Sequence, residues 1–497
     1  MKILFVIKDI EYIDPMGIML LSALAKEGRP GRGTAINVLA DGNLRETIGS
    51  FKPDVVAFSA KTGEHKYYVA ANATVKGISG EIATVIGGPH PTFFPEMVKK
   101  YDFDALCVGE GDDAWPELLD RLEGGQPFDD IPNIVTKGNY LPGQPPLIRP
   151  RRRDLDSLPH LDRELVYGST RLGRFPMRSF MVGRGCPFRC TYCFNHQYND
   201  LYKEKGPVLA RMSVGRVVEE LKETKERYDT QFIKFYDDVF LIKDDEWLDE
   251  FAEVFPREVG LPFHCLMRAD LLTGPVLKKL KKAGLASLSM SIESGNARVR
   301  DEILKRDMST EDMTKAFDLC RENGVPTFSN TIFAIPGTTI KEDIESLDMN
   351  LRCRVDLGEF PIFVPYPGTE LARYAMDKGY FDGDFDSLHM SYQNTSPLSS
   401  FDEKEKLMQT NLSLLATVCL WMPWARDLIV NRLIKLPLTG LYFVLYYLVK
   451  AYLVKTRIYP MSFSISNFVR SVYESFVLER FKHYEDSLPE EGEKKRP

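Results

Sequence analysis

The sequence predicts an α/β fold: an N-terminal doubly wound parallel sheet, a partial (β/α)6 barrel and a C-terminal helical region. Three observations carry this. Uniformly apolar runs alternate with helical patterns over the first 140 or so residues, and such runs are the mark of parallel strands covered on both faces. The alternation resumes after a proline- and arginine-rich interval and continues to about residue 385. Beyond it the pattern gives way to long uncharged stretches. At 497 residues the chain is too long for one core. The expected division is 1–140, a linker at 141–175, the barrel at 176–385 and the helical region at 386–497.

In the first region KILFVI is followed by PMGIMLLSALAKEG, then TAINVLA, DVVAFSA with HKYYVAANATVKGI, ATVIGG, and DALCVGEG with DAWPELLDRL. MKILFVIKDI lacks the apolar core and cleavage site of a signal peptide and reads as the first strand. Ligands of such sheets bind beyond the carboxyl ends of the strands. Those ends carry Ser59, Thr62 and Gly63, then Gly87, Gly88 and His90, then Gly109, Glu110 and Gly111. Each glycine alone can be read as a tight turn, but three such loops at one edge favour a ligand. The connector LPGQPPLIRPRRRDLDSLPHLDR reads as an extended linker whose arginines are solvated or paired with nearby acids.

The barrel strands are SFMVGRG, FIKFYDD, PFHCLMRA, SLSMSIESG, PTFSNTIFAIPG and EFPIFVPYPG. Barrel chemistry sits at carboxyl ends of strands. There the chain places Asp237 and Asp238, Arg268, Glu293 and Pro336-Gly337, and the loop after the first strand reads GCPFRCTYCFN. Cys186, Cys190 and Cys193 lie within this loop. Three thiolates suit an iron–sulfur cube that leaves one iron open to substrate, whereas structural zinc would recruit His196 as the fourth ligand. The other cysteines, Cys107, Cys265, Cys320, Cys353 and Cys419, are scattered singly and read as buried free thiols of a reducing cytoplasm. A net charge of −7 argues against wholesale nucleic-acid binding.

Residues 407–425 and 436–449 carry no charge, yet the second run is short for a membrane span and the first contains Pro423. Arg426, Arg432, Lys435, Lys450, Lys455, Arg457, Arg470, Arg480 and Lys482 face only Asp427, Glu474 and Glu479 in this region. Two readings stand: helices lying peripherally in an anionic membrane surface, or a helical cap on the barrel.

CPFRCTYC resembles the Cys-x-x-x-Cys-x-aromatic-Cys signature of radical S-adenosylmethionine (SAM) enzymes, with Tyr192 as the aromatic. The resemblance implies that the three cysteines hold a [4Fe-4S] cluster whose open iron takes SAM. It further implies reductive cleavage to a 5′-deoxyadenosyl radical, fed by an external one-electron donor such as flavodoxin or ferredoxin. Asp237 and Asp238 stand where the family carries Gly-Gly-Glu and would meet the SAM amine; Arg268 would pair with its carboxylate, and Glu293 resembles the fourth-strand acid. Structural ion pairs are the alternative for Asp237 and Glu293.

Upstream, DPMGIMLLSALAKEG, IGGPHPTFFPE and CVGEGDDAWPEL resemble the cobalamin-binding domains that accompany such barrels. This implies a corrinoid between the sheet edge and the barrel, held by the three loops named above. The Asp-x-His-x-x-Gly element that supplies a lower cobalt ligand is absent, so His90 and His65 are expected to stabilise loops. The combined resemblance implies a cobalamin-dependent methyltransferase acting on an unactivated carbon of a small molecule, and the apolar, basic, aromatic C-terminal region is compatible with a lipid or isoprenoid-type substrate or, equally, with a helical lid. The alternative is a radical cyclase or rearrangement. A methylthiotransferase is disfavoured because Cys107 stands alone upstream, and the intact triplet speaks against a non-catalytic corrinoid sensor.

Overall fold

The computed structural model describes residues 1–8, 13–29, 31–40, 42–389 and 394–461. The first sheet has the order β2-β1-β3-β4-β5-β6, with β1 Lys2–Val6, β2 Ala35–Leu39, β3 Val55–Ser59, β4 Ala83–Gly87, β5 Ala105–Cys107 and β6 Ile134–Val135. All pairings are parallel except the last, an antiparallel edge strand that the apolar-run pattern did not reveal. The chain reverses direction between β1 and β3, creating the crevice where doubly wound sheets bind ligands. Both faces are covered, which is why Ile3 to Val6 are all at 1% exposure or less.

After the short first barrel strand β7 (Met177–Phe180) comes a two-stranded hairpin, β8 (Gly183–Arg184) and β9 (Ala210–Arg211). The remaining barrel strands are β10 Phe232–Phe235, β11 Phe263–Leu266, β12 Leu285–Ser289, β13 Thr327–Asn330 and β14 Leu357–Glu359. Their order, β14-β13-β12-β11-β10-β7, is sequential and wholly parallel, and the barrel stays open between β14 and β7. Each outer helix starts at a side chain able to cap free amides: Ser213, Asp245, Thr273, Ser309, Thr339 and Thr369 all accept from the first turn. Between helices and strands lies an aromatic core in which Phe251 and Phe255 rings sit 4.7 Å apart against Phe235.

The helix Glu403–Trp421 covers the open edge. The Ser413 hydroxyl donates to the Phe360 carbonyl at 2.5 Å and the Thr417 hydroxyl to that of Gly358 at 2.6 Å, satisfying an edge strand that would otherwise invite pairing. Residues 409–419 are all buried, so for this run the cap reading holds. The helix Thr439–Leu453 packs on it, and Lys450 reaches Glu359 at 2.6 Å. The chain then passes beneath the barrel, where Tyr459 meets Phe232 and His264 and the Ser287 hydroxyl donates to the Ile458 carbonyl. No helix among the described residues is long and apolar enough to cross a membrane. Arg470, Glu474, Glu479, Arg480 and Lys482 lie outside the described residues.

Two of the arginines at 149–153 are ion-paired and a third is stacked. Arg149 meets Glu117 and Arg152 meets Asp113, while the Arg151 guanidinium lies over Tyr198 and Tyr202, 4.9 and 4.8 Å from their ring centres.

Candidate functional site

The cysteine loop is fixed from below before it begins. Asp237, at the exit of β10, accepts from the Val182 and Gly183 amides at 3.0 and 2.8 Å. Gly185 follows with φ +92°, and a Cβ there would lie 1.9 Å from the Val208 carbonyl oxygen, so only glycine fits. The loop is held again at Thr191, whose amide donates to Leu304 and whose hydroxyl donates to Ile303, while its carbonyl accepts from Leu371. Cys193 caps the helix Phe194–Leu201, its Sγ 3.5 Å from the Asn195 amide, and Asn199 returns to the Cys186 carbonyl at 2.8 Å.

Burial pushes the Cys186 and Cys193 thiols up to about 11 and about 12, so metal charge is what would make them thiolates. His196 is buried, with Nδ1 against the Cys190 carbonyl and Nε2 2.6 Å from the Gln197 amide. Both ring nitrogens are therefore engaged, which removes the fourth ligand of the zinc reading. Among the described residues no three His, Cys, Asp or Glu side chains converge on one ion. A cube spreads its thiolates over separate irons, so three soft sulfur donors on one loop fit it.

Around this loop the barrel exits interlock. The Tyr192 hydroxyl donates to Glu293 at 2.9 Å and accepts from Arg306 at 2.7 Å. Glu293 has φ +62°, unusual for a side chain of this size, and is held there by its amide bond to Asn330 and its carbonyl bond from Ile332. Asp238 is tied to Asn195 and Gly185, and burial raises its pKa. Arg268 places Nε and Nη2 on Asp270 at 3.0 and 2.8 Å, Nη2 also donates to the Arg306 carbonyl at 2.9 Å, and the guanidinium lies 3.8 Å from the Phe188 ring centre. In the fifth exit, buried Asp343 accepts from the Ala334 amide and from Gln409 of the capping helix. Sequence reasoning missed Arg306 and Asp343, since neither lies in a recognisable motif.

The first sheet's exits are built differently. Gly88 has φ +99°, and a Cβ would lie 2.8 Å from the Ala60 carbonyl oxygen. The His90 amide donates to that carbonyl, and Thr62 Oγ1 lies 3.1 Å from His90 Nδ1. The His65 and His90 rings stack at 3.9 Å. His65 uses both nitrogens, accepting from the Gly63 amide and meeting Asp386 at 2.9 Å, whereas His90 Nε2 is buried with no partner among the described residues. That orphan nitrogen and the glycine-lined backbone suit a large polar ring system more than a closed turn. Ser59 is exposed beside them.

Gly109 and Glu110 answer to the barrel. A Cβ on Gly109, at φ +77°, would lie 2.3 Å from the Tyr202 hydroxyl, and the Glu110 amide donates to the same oxygen at 2.7 Å. Gly111 packs on Cys107 and Leu21 instead. Tyr202 terminates the cysteine-loop helix, and Phe194 and Tyr198 of that helix meet Phe93. Arg184 of the hairpin reaches across to Asp112 and Glu110. One short helix therefore starts at Cys193 and ends on the sheet edge. A cavity of about 140 Å³ opens between the β8–β9 pair and the exit of β10, lined by Gly183, Arg184, Gly185, Leu209, Asp237 and Asp238 among others.

The model of the Radical SAM superfamily matches residues 180–349 and that of the B12 binding domain residues 11–119, together more than half of the chain. An uncharacterized methyltransferase of Pyrococcus horikoshii is 26% identical over 73% of this chain and 78% of its own. A hopanoid C-3 methylase of Methylococcus capsulatus is 26% identical over 72% and 68%. An anaerobic magnesium-protoporphyrin IX monomethyl ester cyclase of Rubrivivax gelatinosus is 25% identical over 69% and 62%. In fold the chain is similar to the radical SAM methyltransferase TsrM of Kitasatospora setae (TM-score 0.60, 17% identity, 76% and 78% covered). It is also similar to the cobalamin-dependent SAM radical enzyme OxsB (TM-score 0.58, 15% identity, 97% and 72% covered).

Proposed function

We infer that this chain, which belongs to the radical SAM enzymes and carries a B12-binding domain ahead of its barrel, is a methyltransferase acting on an unactivated carbon. The observation that carries the reading is the shared helix: the cysteine loop opens it and Tyr202 closes it on the sheet edge. A reaction that draws on both cofactors needs such adjacency.

Cys186, Cys190 and Cys193 would hold the [4Fe-4S] cluster, and the loops of Ser59, Thr62, Gly88 and His90 would hold cobalamin. When bound, cluster and SAM supply hydrogen-abstracting radical chemistry and the corrinoid supplies methyl transfer. The chain's own residues do the positioning. Tyr192, Glu293 and Arg306 lock the cysteine loop to the fourth exit, and Asp237 and Asp238 lock it to the second. Tyr459 packs against Phe232 and His264 at the opposite, amino end of the barrel. No proton-transferring base is required of the protein for hydrogen-atom abstraction.

The substrate class we favour is a lipid or isoprenoid, supported by the hopanoid methylase among the relatives and by the apolar C-terminal helices; a one-electron donor and peripheral membrane contact complete the reading. The test is anaerobic turnover with methyl-labelled SAM and a lipid extract. Label in a product, with both S-adenosylhomocysteine and 5′-deoxyadenosine formed, is expected. Deoxyadenosine with neither homocysteine product nor label would replace methyl transfer by the cyclase chemistry of the Rubrivivax relative.

A further inference from the structure

Fifteen large apolar side chains of the described chain are exposed, and nine of them fall between Trp421 and Tyr452. The helix Thr439–Leu453 is the centre of this ridge. Tyr442, Tyr446, Val449 and Leu453 bury one face against the capping helix and barrel edge. Leu441, Val444, Leu448 and Tyr452, spaced three to four residues apart, form the opposite face, and Leu441 is 62% exposed. A helix on a water-facing surface normally turns charge outward; this one turns leucine outward on both sides of its midpoint. Trp424, 79% exposed, flanks the ridge.

Charge says what covers it. Between residues 421 and 461 the only acid is Asp427, and Arg426 holds it at 2.9 Å. Arg432 and Lys435 are exposed beside Leu436 and Leu438 and make no ion pair among the described residues. A ridge of leucine with tryptophan and tyrosine at its margin and cations without matching acids is complementary to an anionic lipid surface, and ill suited to a symmetric contact with itself, where those cations would face each other.

We propose that the outward face of Thr439–Leu453, with Trp424, Arg432 and Lys435, seats the enzyme on an anionic bilayer surface. This deepens the lipid-substrate reading and rests on it only for its purpose. The opposite side of the same helix carries Lys450 to Glu359 at the barrel edge, so one helix diameter, roughly 10 Å, separates bilayer from barrel. The ridge lies in the interface and does not span it.

The experiment is flotation of the anaerobically purified full chain with phosphatidylcholine vesicles, with or without about a third phosphatidylglycerol. Wild type is expected to float with anionic vesicles, less with neutral ones, and less as salt is raised several-fold above about 0.1 M. L441E/L448E should lower the floated fraction at least ten-fold. R432E/K435E, at exposed sites where folding is not at stake, should abolish the preference for anionic vesicles. Soluble recovery of wild type, equal flotation of wild type and both variants, or a wild-type dimer that L441E/L448E dissociates would overturn the proposal. Deletion of 462–497 abolishing flotation while L441E/L448E leaves it intact would move lipid contact off this helix and overturn it too. Label transfer to a soluble substrate read in parallel separates loss of docking from loss of the proposed chemistry.

Discussion

The carboxyl ends of the two parallel sheets solve different problems with different residues. Barrel exits are tied by buried charge: Tyr192, Glu293 and Arg306 interlock, and Asp237 grips two amides. Exits of the first sheet are tied by backbone, with Gly88 pressed on Ala60 and a stacked histidine pair above. The contrast teaches that the barrel presents a few rigid, directional groups, as three thiols and a small zwitterion require, while the first sheet presents a broad backbone surface, as a macrocycle requires.

The largest way to break the contrast is to remove a thiol. Alanine at Cys186, Cys190 or Cys193 should remove cluster absorbance and lower SAM cleavage at least a thousand-fold, with cobalamin binding retained. Gly88→Val is the mirror experiment. A Cβ there would lie 2.8 Å from backbone and at positive φ, so cobalamin retention should be lost and melting should report a destabilisation of about 2–4 kcal/mol, while iron content stays. Tyr192→Phe is gentler. It leaves Glu293 and Arg306 facing each other at 3.7 Å, and about a ten-fold fall in SAM cleavage without change in corrinoid binding is expected.

The smallest test sharpens the comparison by sign. Burial pushes Asp237 up to about 7 from 3.8, so between those values the native state binds the extra proton and stability falls as pH rises. Burial pushes His90 down to about 3 from 6.5, so there the unfolded state binds it and stability falls as pH drops. Melting of the cofactor-free protein from pH 4 to 7 should thus change slope in opposite directions in Asp237→Asn and His90→Gln. Slopes that shift the same way would mean the two groups are not buried as described.

Much of this was legible in the sequence because local chemistry announced it. Apolar runs marked the strands, and three close cysteines marked the loop. What escaped was long-range. Nothing near Arg306 says it will meet Tyr192, 114 positions earlier, and nothing near Gly109 says its missing Cβ makes room for the Tyr202 hydroxyl. Nor does the motif around Arg268 say that Asp270, two residues on, will take its Nε and Nη2. The uncharged run at 407–425 was ambiguous because a helix buried on a barrel edge and one lying in a membrane have the same composition; the burial of 409–419, with Ser413 and Thr417 on the carbonyls of Phe360 and Gly358, decides it.

The central claim, that the cysteine loop and the sheet edge act as one site through the helix Phe194–Leu201, is tested most directly by a double-mutant cycle at its far end. Gly109→Ala forces a methyl group against the Tyr202 hydroxyl. It should leave iron and cobalamin content near wild type but lower transfer of label from methyl-labelled SAM at least ten-fold, and the loss should shrink several-fold in a Tyr202→Phe background. Wild-type transfer in Gly109→Ala, or an equal loss in both backgrounds, would contradict it.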